Sequence, residues 1–174
     1  MSTSIRTHRL LLFPLTLSQL KLGLTDLPAL EVEFGLSISP DVITERVQSA
    51  IQIKIEKMTD LGASLHPWQT YWLIVISAEH VGAGLADFKG VPDADGSTEV
   101  GYGIAPSYQN QGYMTEAVKA LVDWAFTHPY CRVVTATTVT NPASRRLLEK
   151  LDAQLAEENR DSSTWRIIRP SSLV

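Results

Sequence analysis

The residue types most able to do chemistry lie together at positions 107–117, S-Y-Q-N-Q-G-Y-M-T-E-A. A strand-like run at 98–104 leads into this stretch, and a strongly amphipathic helix leads out of it. The opening N–H groups of a helix lack carbonyl partners, and the macrodipole adds positive potential there. A turn of this kind seats a diphosphate without needing a lysine. Gln109, two residues, then Gly112 frame the turn. The donors are the backbone N–H groups of Gln111, Gly112, Tyr113, Met114 and Thr115, with the Thr115 hydroxyl beside them. Asn110 suits a left-handed position better than most residues. An ordinary turn with a helix cap is the plainer reading of the same residues.

Glu99 is the best candidate for handling a proton. Strand alternation puts Glu99, Gly101 and Gly103 on one face, with Val100, Tyr102 and Ile104 on the other. An acid followed by two glycines leaves a polar, open face where a ligand can approach; a surface glutamate opening a strand is the alternative. Asn141 and Ser144 form another polar pair. Asn is a good helix N-cap and Pro142 suits a first turn, so a structural role for Asn141 stands beside a binding one. Cys131 reads as a small buried hydrophobe rather than a nucleophile. His8, His66, His80 and His128 are scattered without metal-ligand spacing, and no metal is expected. Arg145 and Arg146 read either as a solvated helix face or as phosphate contacts. Trp68, Tyr71 and Trp72 read either as core or as pocket walls.

The elements that must position these groups follow from pattern. Residues 9–15 form an edge-strand candidate ending near Pro14. A helix capped by Thr16 or Ser18 carries leucines at 17, 20, 24 and 27 and breaks at Pro28. Asp41 is expected to cap a long helix that ends at Leu61 and Gly62. Residues 63–69 read as a loop, 70–76 as a central strand, and 81–88 as a strand whose glycines allow a bulge or close packing. The helix at 113–127 presents apolar positions 114, 117, 118, 121, 122 and 125. A buried strand at 132–139, a helix at 141–151, and two strands near 153–159 and 164–168 complete the order β-α-α-β-β-β-α-β-α-β-β. That order predicts a mixed α/β sheet with helices on both faces.

With the motifs in place, the chain resembles the GNAT superfamily of N-acetyltransferases. Gln109 and Gly112 match its pyrophosphate loop, Q/R-x-x-G-x-G/A, with Met114 where a small residue is usual. Residues 141–151, N-P-A-S-R-R-L-L-E-K-L, resemble the second acetyl-CoA motif; Asp152 follows where Gly is usual. Residues 7–15, T-H-R-L-L-L-F-P-L, are similar to the first strand of the RimJ/RimL-type branch, with Phe13 in place of Arg. That branch acetylates protein N-termini and related amines. One such loop is a weak signal; two motifs about thirty residues apart and in order are strong together.

The resemblance implies a GNAT-like fold: a mixed, mostly antiparallel twisted sheet of about seven strands with helices on both faces. A V-shaped splay between two central parallel strands, those carrying Glu99 and Thr135, admits the pantetheine arm. It implies acetyl-CoA as co-substrate and a primary amine as acceptor, a protein or peptide N-terminus or a small-molecule amine, acetylated directly without an acyl-enzyme. Residues 109–115 would hold the CoA with Asn141 and Ser144. Glu99 would handle the amine proton, and Ser144 would sit near the sulfur as proton donor. Asn141 would contact pantetheine or an ordered water, and the N–H of Ile104, or of a neighbour, would polarise the thioester carbonyl. The tyrosine acid that many members carry seven residues after the Asn is Leu148 here, which favours Ser144 or water as the donor. A non-catalytic acyl-CoA-binding or regulatory module of the same fold is the other reading.

Composition bounds the rest. A chain of 174 residues is most simply one domain, 1–174, able to bury a sizeable core. The net charge of −4 and the lack of a dense Lys/Arg run argue against a nucleic-acid partner. One cysteine excludes an internal disulfide. With no apolar run of about eighteen residues and no secretory h-region, neither a membrane span nor a leader is expected. A cytoplasmic protein is the simplest expectation, and a homodimer is one state the sequence allows.

Overall fold

In the computed structural model, residues 4–139 and 141–171 are described. A two-residue strand, β1 (Ile5–Arg6), pairs antiparallel with β2 (Leu10–Pro14), so the first long strand is not the sheet edge. Helix α1 (Leu17–Thr25) opens on a capping box in which Thr16 and Gln19 bond each other's backbone N–H. The break after it falls at Asp26 rather than at Pro28. Asp26 caps α2 (Leu27–Phe34) by accepting from the Ala29 N–H, and Pro28 sits in the first turn, where its missing N–H costs nothing.

Strand β3 (Ser37–Ile38) is followed by a turn in which Val42 N–H bonds Ser39 O. Because Asp41 belongs to that turn, the cap of α3 (Glu45–Thr59) passes to Thr44, which accepts from Val47 N–H. Residues 63–69 are not a plain loop. They form a 3-10 turn and a short helix, α4 (His66–Gln69), that lets Trp68 reach the core.

The central strands are β4 (Tyr71–Ile76), β5 (Val81–Phe88) and β6 (Ser97–Ile104). Ile74 faces Gly84 but Val75 faces Gly82, so Ala83 is the extra residue of a bulge flanked by glycines. Gly84 is required on another ground: a Cβ there would lie 2.5 Å from the Gly103 carbonyl oxygen. After α5 (Tyr113–Phe126) come β7 (Val133–Val139), α6 (Pro142–Lys150), β8 (Gln154–Glu158) and β9 (Ser162–Ile168).

The sheet runs β1-β2-β4-β5-β6-β7-β9-β8, with β3 pairing the start of β5. It has nine strands among the described residues rather than about seven. The two additional ones, β1 and β3, are two residues long and leave no alternation to read. Both faces are covered, and β4 shows why its run is apolar throughout. Trp72, Ile74 and Ile76 join α5 and α6 in one core, and Leu73 and Val75 join α1, α2 and α3 in the other.

Candidate active site

The site begins where two strands part. Strands β6 and β7 are parallel and pair as Ser97 with Val133, Thr98 with Val134, and Glu99 with Thr135; the ladder stops there. The Thr135 hydroxyl donates to the Thr98 carbonyl at 3.2 Å beside the last pair. Beyond it β6 still pairs with β5 as far as Ile104. Lys89 N–H bonds Glu99 O and Ala105 N–H bonds Ala83 O. By antiparallel alternation, Ile104, opposite Gly84, therefore turns its N–H away from β5 into the gap left by β7. Its carbonyl also faces that side and accepts from the Gln109 side chain at 3.4 Å.

On one side of this gap is a cavity of about 400 Å³ between the start of α5 and α6. Its floor is the turn at 109–115. Asn110 (φ 60°) and Gly112 (φ 80°) both adopt the left-handed conformation that the residue types allow. No side chain caps α5, and its first internal bond runs from Glu116 N–H to Gly112 O. The N–H groups of Tyr113, Met114 and Thr115 are thus left for a ligand. Met114 packs against the core, so its bulk is directed inward while it still borders the cavity. Arg146 and Lys150, one helical turn apart on α6, line the same cavity. Arg145 does not: it pairs with Glu149 and Glu158 across the surface.

The turn is buttressed from behind. Arg9 donates from Nη1 to the Gln111 carbonyl at 2.9 Å, and its guanidinium lies over the Tyr113 ring. Glu116 accepts from the Thr7 hydroxyl, the Arg9 backbone N–H and Arg9 Nε. Burial alone would raise the Glu116 carboxyl, but these bonds and the Arg9 charge hold it below its ordinary value.

On the other side is a second cavity, of about 540 Å³, on the α3 face of the sheet. Glu99, Asp87, Lys89, Tyr71 and Arg46 are among its walls. Asp87 is buried and held by Lys54 Nζ at 2.8 Å and Lys89 Nζ at 3.1 Å. Burial lowers the Lys54 pKa, and Asp87 opposes that shift. Asp87 and Lys89 pack over Gly101, where a Cβ would fall 2.6 Å from Asp87 Oδ1. Burial, and then the Asp87 charge, push the Tyr71 phenol up to about 12.

The two cavities share Tyr102, Gly103, Ile104, Asn141 and Ser144. Of the residues singled out from sequence, Ile104, Gln109, Asn110, Gly112, Tyr113, Met114, Thr115, Asn141 and Ser144 border the first cavity. Gln111 does not, since its side chain bonds Ser107 O and its carbonyl is taken by Arg9. Glu99 borders the second cavity with Asn141 and Ser144. Asn141 is the α6 cap: its Oδ1 accepts from Ala143 and Ser144 N–H, which leaves Nδ2 for other contacts. Trp68 and Trp72 are core, and only Tyr71 of that trio reaches a cavity.

Arg146 takes the phosphate-contact alternative that the sequence left open for it; sequence reasoning missed Tyr102 as a site residue, Asp87, Lys89 and Lys150. For the last, a signal existed: 143, 146, 147 and 150 recur at helical spacing from the Asn141 cap.

A parallel pair that unzips beside an uncapped, glycine-opened helix defines the class, and comparison with known proteins agrees. The Acetyltransferase (GNAT) domain profile matches residues 14–154. The chain belongs to the GNAT acetyltransferase family, a family of acetyl-CoA-dependent N-acetyltransferases. It is 30% identical over 95 residues to the uncharacterized N-acetyltransferase YjdG of Bacillus subtilis (strain 168), which is 54% of this chain and 56% of that one. The chain thus spans about half the length of the curated relative it matches.

Among solved structures it is similar in fold to a ribosomal-protein-S5-alanine acetyltransferase from Vibrio fischeri, with a TM-score of 0.69, 16% identity, and 97% and 98% of the two chains covered. It is similar to a RimL ribosomal-protein acetyltransferase in complex with coenzyme A, with a TM-score of 0.66, 16% identity, and 95% and 97% covered. A GNAT-family acetyltransferase from Bacillus anthracis superposes with a TM-score of 0.64 at 16% identity, over 96% and 99% of the chains.

Proposed function

We propose that this protein transfers an acetyl group from acetyl-CoA to a primary amine by direct attack, the acceptor being a protein or peptide N-terminus or a small-molecule amine. The observation that carries the reading is the meeting of the two cavities at the β6–β7 splay. One is lined by helix-terminal amides and two cations, the other by Glu99 with Asp41, Asp87, Arg46 and Lys89.

The residues present fit acetyl-CoA. The free amides at 113–115 suit a diphosphate, and Arg146 and Lys150 suit the remaining phosphate charge. When bound, the thioester supplies an activated acetyl carbon. The N–H of Ile104, turned into the gap, stabilises negative charge developing on the carbonyl oxygen. Glu99 takes the amine proton, directly or through water. An α-amino group has a pKa near 8, so part of it is already neutral at pH 7 and a carboxylate suffices. Ser144, at the junction, donates a proton to the departing sulfur, and Asn141 orients the first turn of α6 beneath it.

The experiment is thiol release from acetyl-CoA across a panel of peptides with free N-termini and small amines, with mass spectrometry of the products. Amine-dependent release supports transfer. Tight CoA binding without release for any acceptor would favour a non-catalytic acyl-CoA-binding module.

A further inference from the structure

The hydroxyl of Tyr102 has no hydrogen-bond partner although it is shut away from solvent. Buried polar groups in folded proteins nearly always find partners, and an exception calls for a physical reason. Tyr102 stands on β6 just beyond the last β6–β7 pair, on the face that packs against α5 and α6. Ser144, in the first turn of α6, lines the same two cavities. The Ser144 hydroxyl is the one polar group that opposes the upward push of burial on the Tyr102 phenol, though the contact stops short of a full hydrogen bond. Both residues border both cavities.

We infer that Tyr102 is a positioning residue: its hydroxyl donates to Ser144 Oγ across the splay, so that the Ser144 O–H is directed at the sulfur of bound CoA. The inference rests on the reading of Ser144 as the donor to the departing thiolate. The phenol is enclosed, so it acts through Ser144 rather than by touching the ligand. A raised pKa keeps it protonated and hence a donor across the working pH range. Donation to Oγ leaves the serine hydrogen free for the sulfur and polarises it toward that acceptor. No proton is lost from Tyr102. The amine gives its proton to Glu99 or water, the C–N bond forms, the C–S bond breaks, and the thiolate takes the Ser144 proton, which solvent restores.

The test compares wild type, Tyr102→Phe, Ser144→Ala and the double variant. Two readouts are the ultraviolet titration of the thiol of bound CoA and steady-state transfer. Thermal stability is followed alongside. A directed serine hydrogen stabilises the bound thiolate, so Tyr102→Phe and Ser144→Ala should each raise the apparent pKa of that thiol, and the double variant should raise it no further than Ser144→Ala alone. Turnover should fall about 10-fold in Tyr102→Phe, less than a direct acid–base group contributes because Tyr102 acts through Ser144, with KM for acetyl-CoA unchanged. Phe removes an unpartnered buried hydroxyl, so the midpoint of unfolding should hold or rise, which separates the effect from misfolding.

A thiol titration in Tyr102→Phe that matches wild type overturns the inference. So does additivity of the two variants, or an unmoved titration in Ser144→Ala. The thiol titration needs only bound CoA. A protein that binds CoA but acetylates nothing would refute the function reading while this measurement still decides the Tyr102–Ser144 relationship.

Discussion

Arg9 and Glu116, 107 positions apart, are joined by a 2.7 Å contact from Nε to Oε2 and by a second bond from the Arg9 backbone N–H. The same guanidinium holds the Gln111 carbonyl. The opening strand region is thereby tied to the back of the turn that presents the α5 amides. The order of that turn depends on a residue that contributes nothing to the cavity wall.

Removing this tie should loosen the turn before it unfolds the protein. Arg9→Met is expected to weaken CoA binding by about 10-fold, the scale on which supporting contacts act on a ligand site. Isothermal titration would read it, and unchanged affinity would show that the turn holds itself. Glu116 adds a pH dependence. Its folded pKa lies below the ordinary 4.5, so its stabilisation is present above the unfolded value and lost as pH falls through the folded one. Glu116→Gln should flatten the acid limb of a stability–pH curve below about pH 4.5.

Gly112 opens the helix at the proposed CoA seat. Its φ of 80° disfavours any side chain, and a Cβ would lie 3.3 Å from Arg9 Nη2. Gly112→Glu should abolish the thermal shift produced by acetyl-CoA, which in wild type is worth about 2.7 kcal/mol at one hundred times Kd. NAD, FAD and ATP should give no comparable shift, since the turn lacks both the G-x-G-x-x-G pattern and a Walker lysine. An undiminished shift in the variant would place the diphosphate elsewhere.

Glu99→Gln should lower kcat by about 100-fold, the lower part of the range for a general base, with little change in acetyl-CoA affinity. The loss should shrink as pH rises toward the acceptor pKa, because more amine is then neutral unaided. The check is a pH–rate profile of both proteins on one good acceptor; equal activity at every pH would remove Glu99 from the reaction.

The Lys54–Asp87 pair has side chains 7% and 3% exposed, and its Asp87 lines the proposed acceptor cavity. Lys54→Met leaves the carboxylate with only the half-exposed Lys89, and breaking a buried pair costs about 3–5 kcal/mol. Combining it with Asp87→Leu should recover much of that loss. Denaturant titration of the single and double variants measures the coupling, and a neutral single variant would show that Lys89 alone suffices.

Cys131 is fully buried and its thiol is pushed up to about 11, burial being the largest cause. Alkylation at pH 8 should therefore be slow in the native protein and fast in denaturant, as mass spectrometry would show. Fast native modification would mean that the segment after α5 opens readily.

The parts of this protein legible in its sequence are those set by local rules. The α5 stripe at 114, 117, 118, 121, 122 and 125 needs only helical periodicity. The left-handed turn at Asn110 and Gly112 needs only residues that tolerate positive φ, and the Asn141 cap needs only an oxygen three residues before a free amide. Where two local signals compete, sequence alone does not arbitrate. Asp41 and Thr44 are both good caps, and the turn closed by Val42 N–H chose Thr44.

The reactive geometry belongs to the tertiary structure. The ladder stops at Glu99 and Thr135 because two strands with a helix between them diverge there. That divergence leaves the Ile104 amide, turned away from β5 by strand alternation, facing an open gap, and lets Tyr102 and Ser144 line the same two cavities. Tying Arg9 to Glu116 and Lys54 to Asp87 likewise needs chain segments brought together from far apart. Those pairings depend on the summed packing of both cores, and no window of sequence contains that sum.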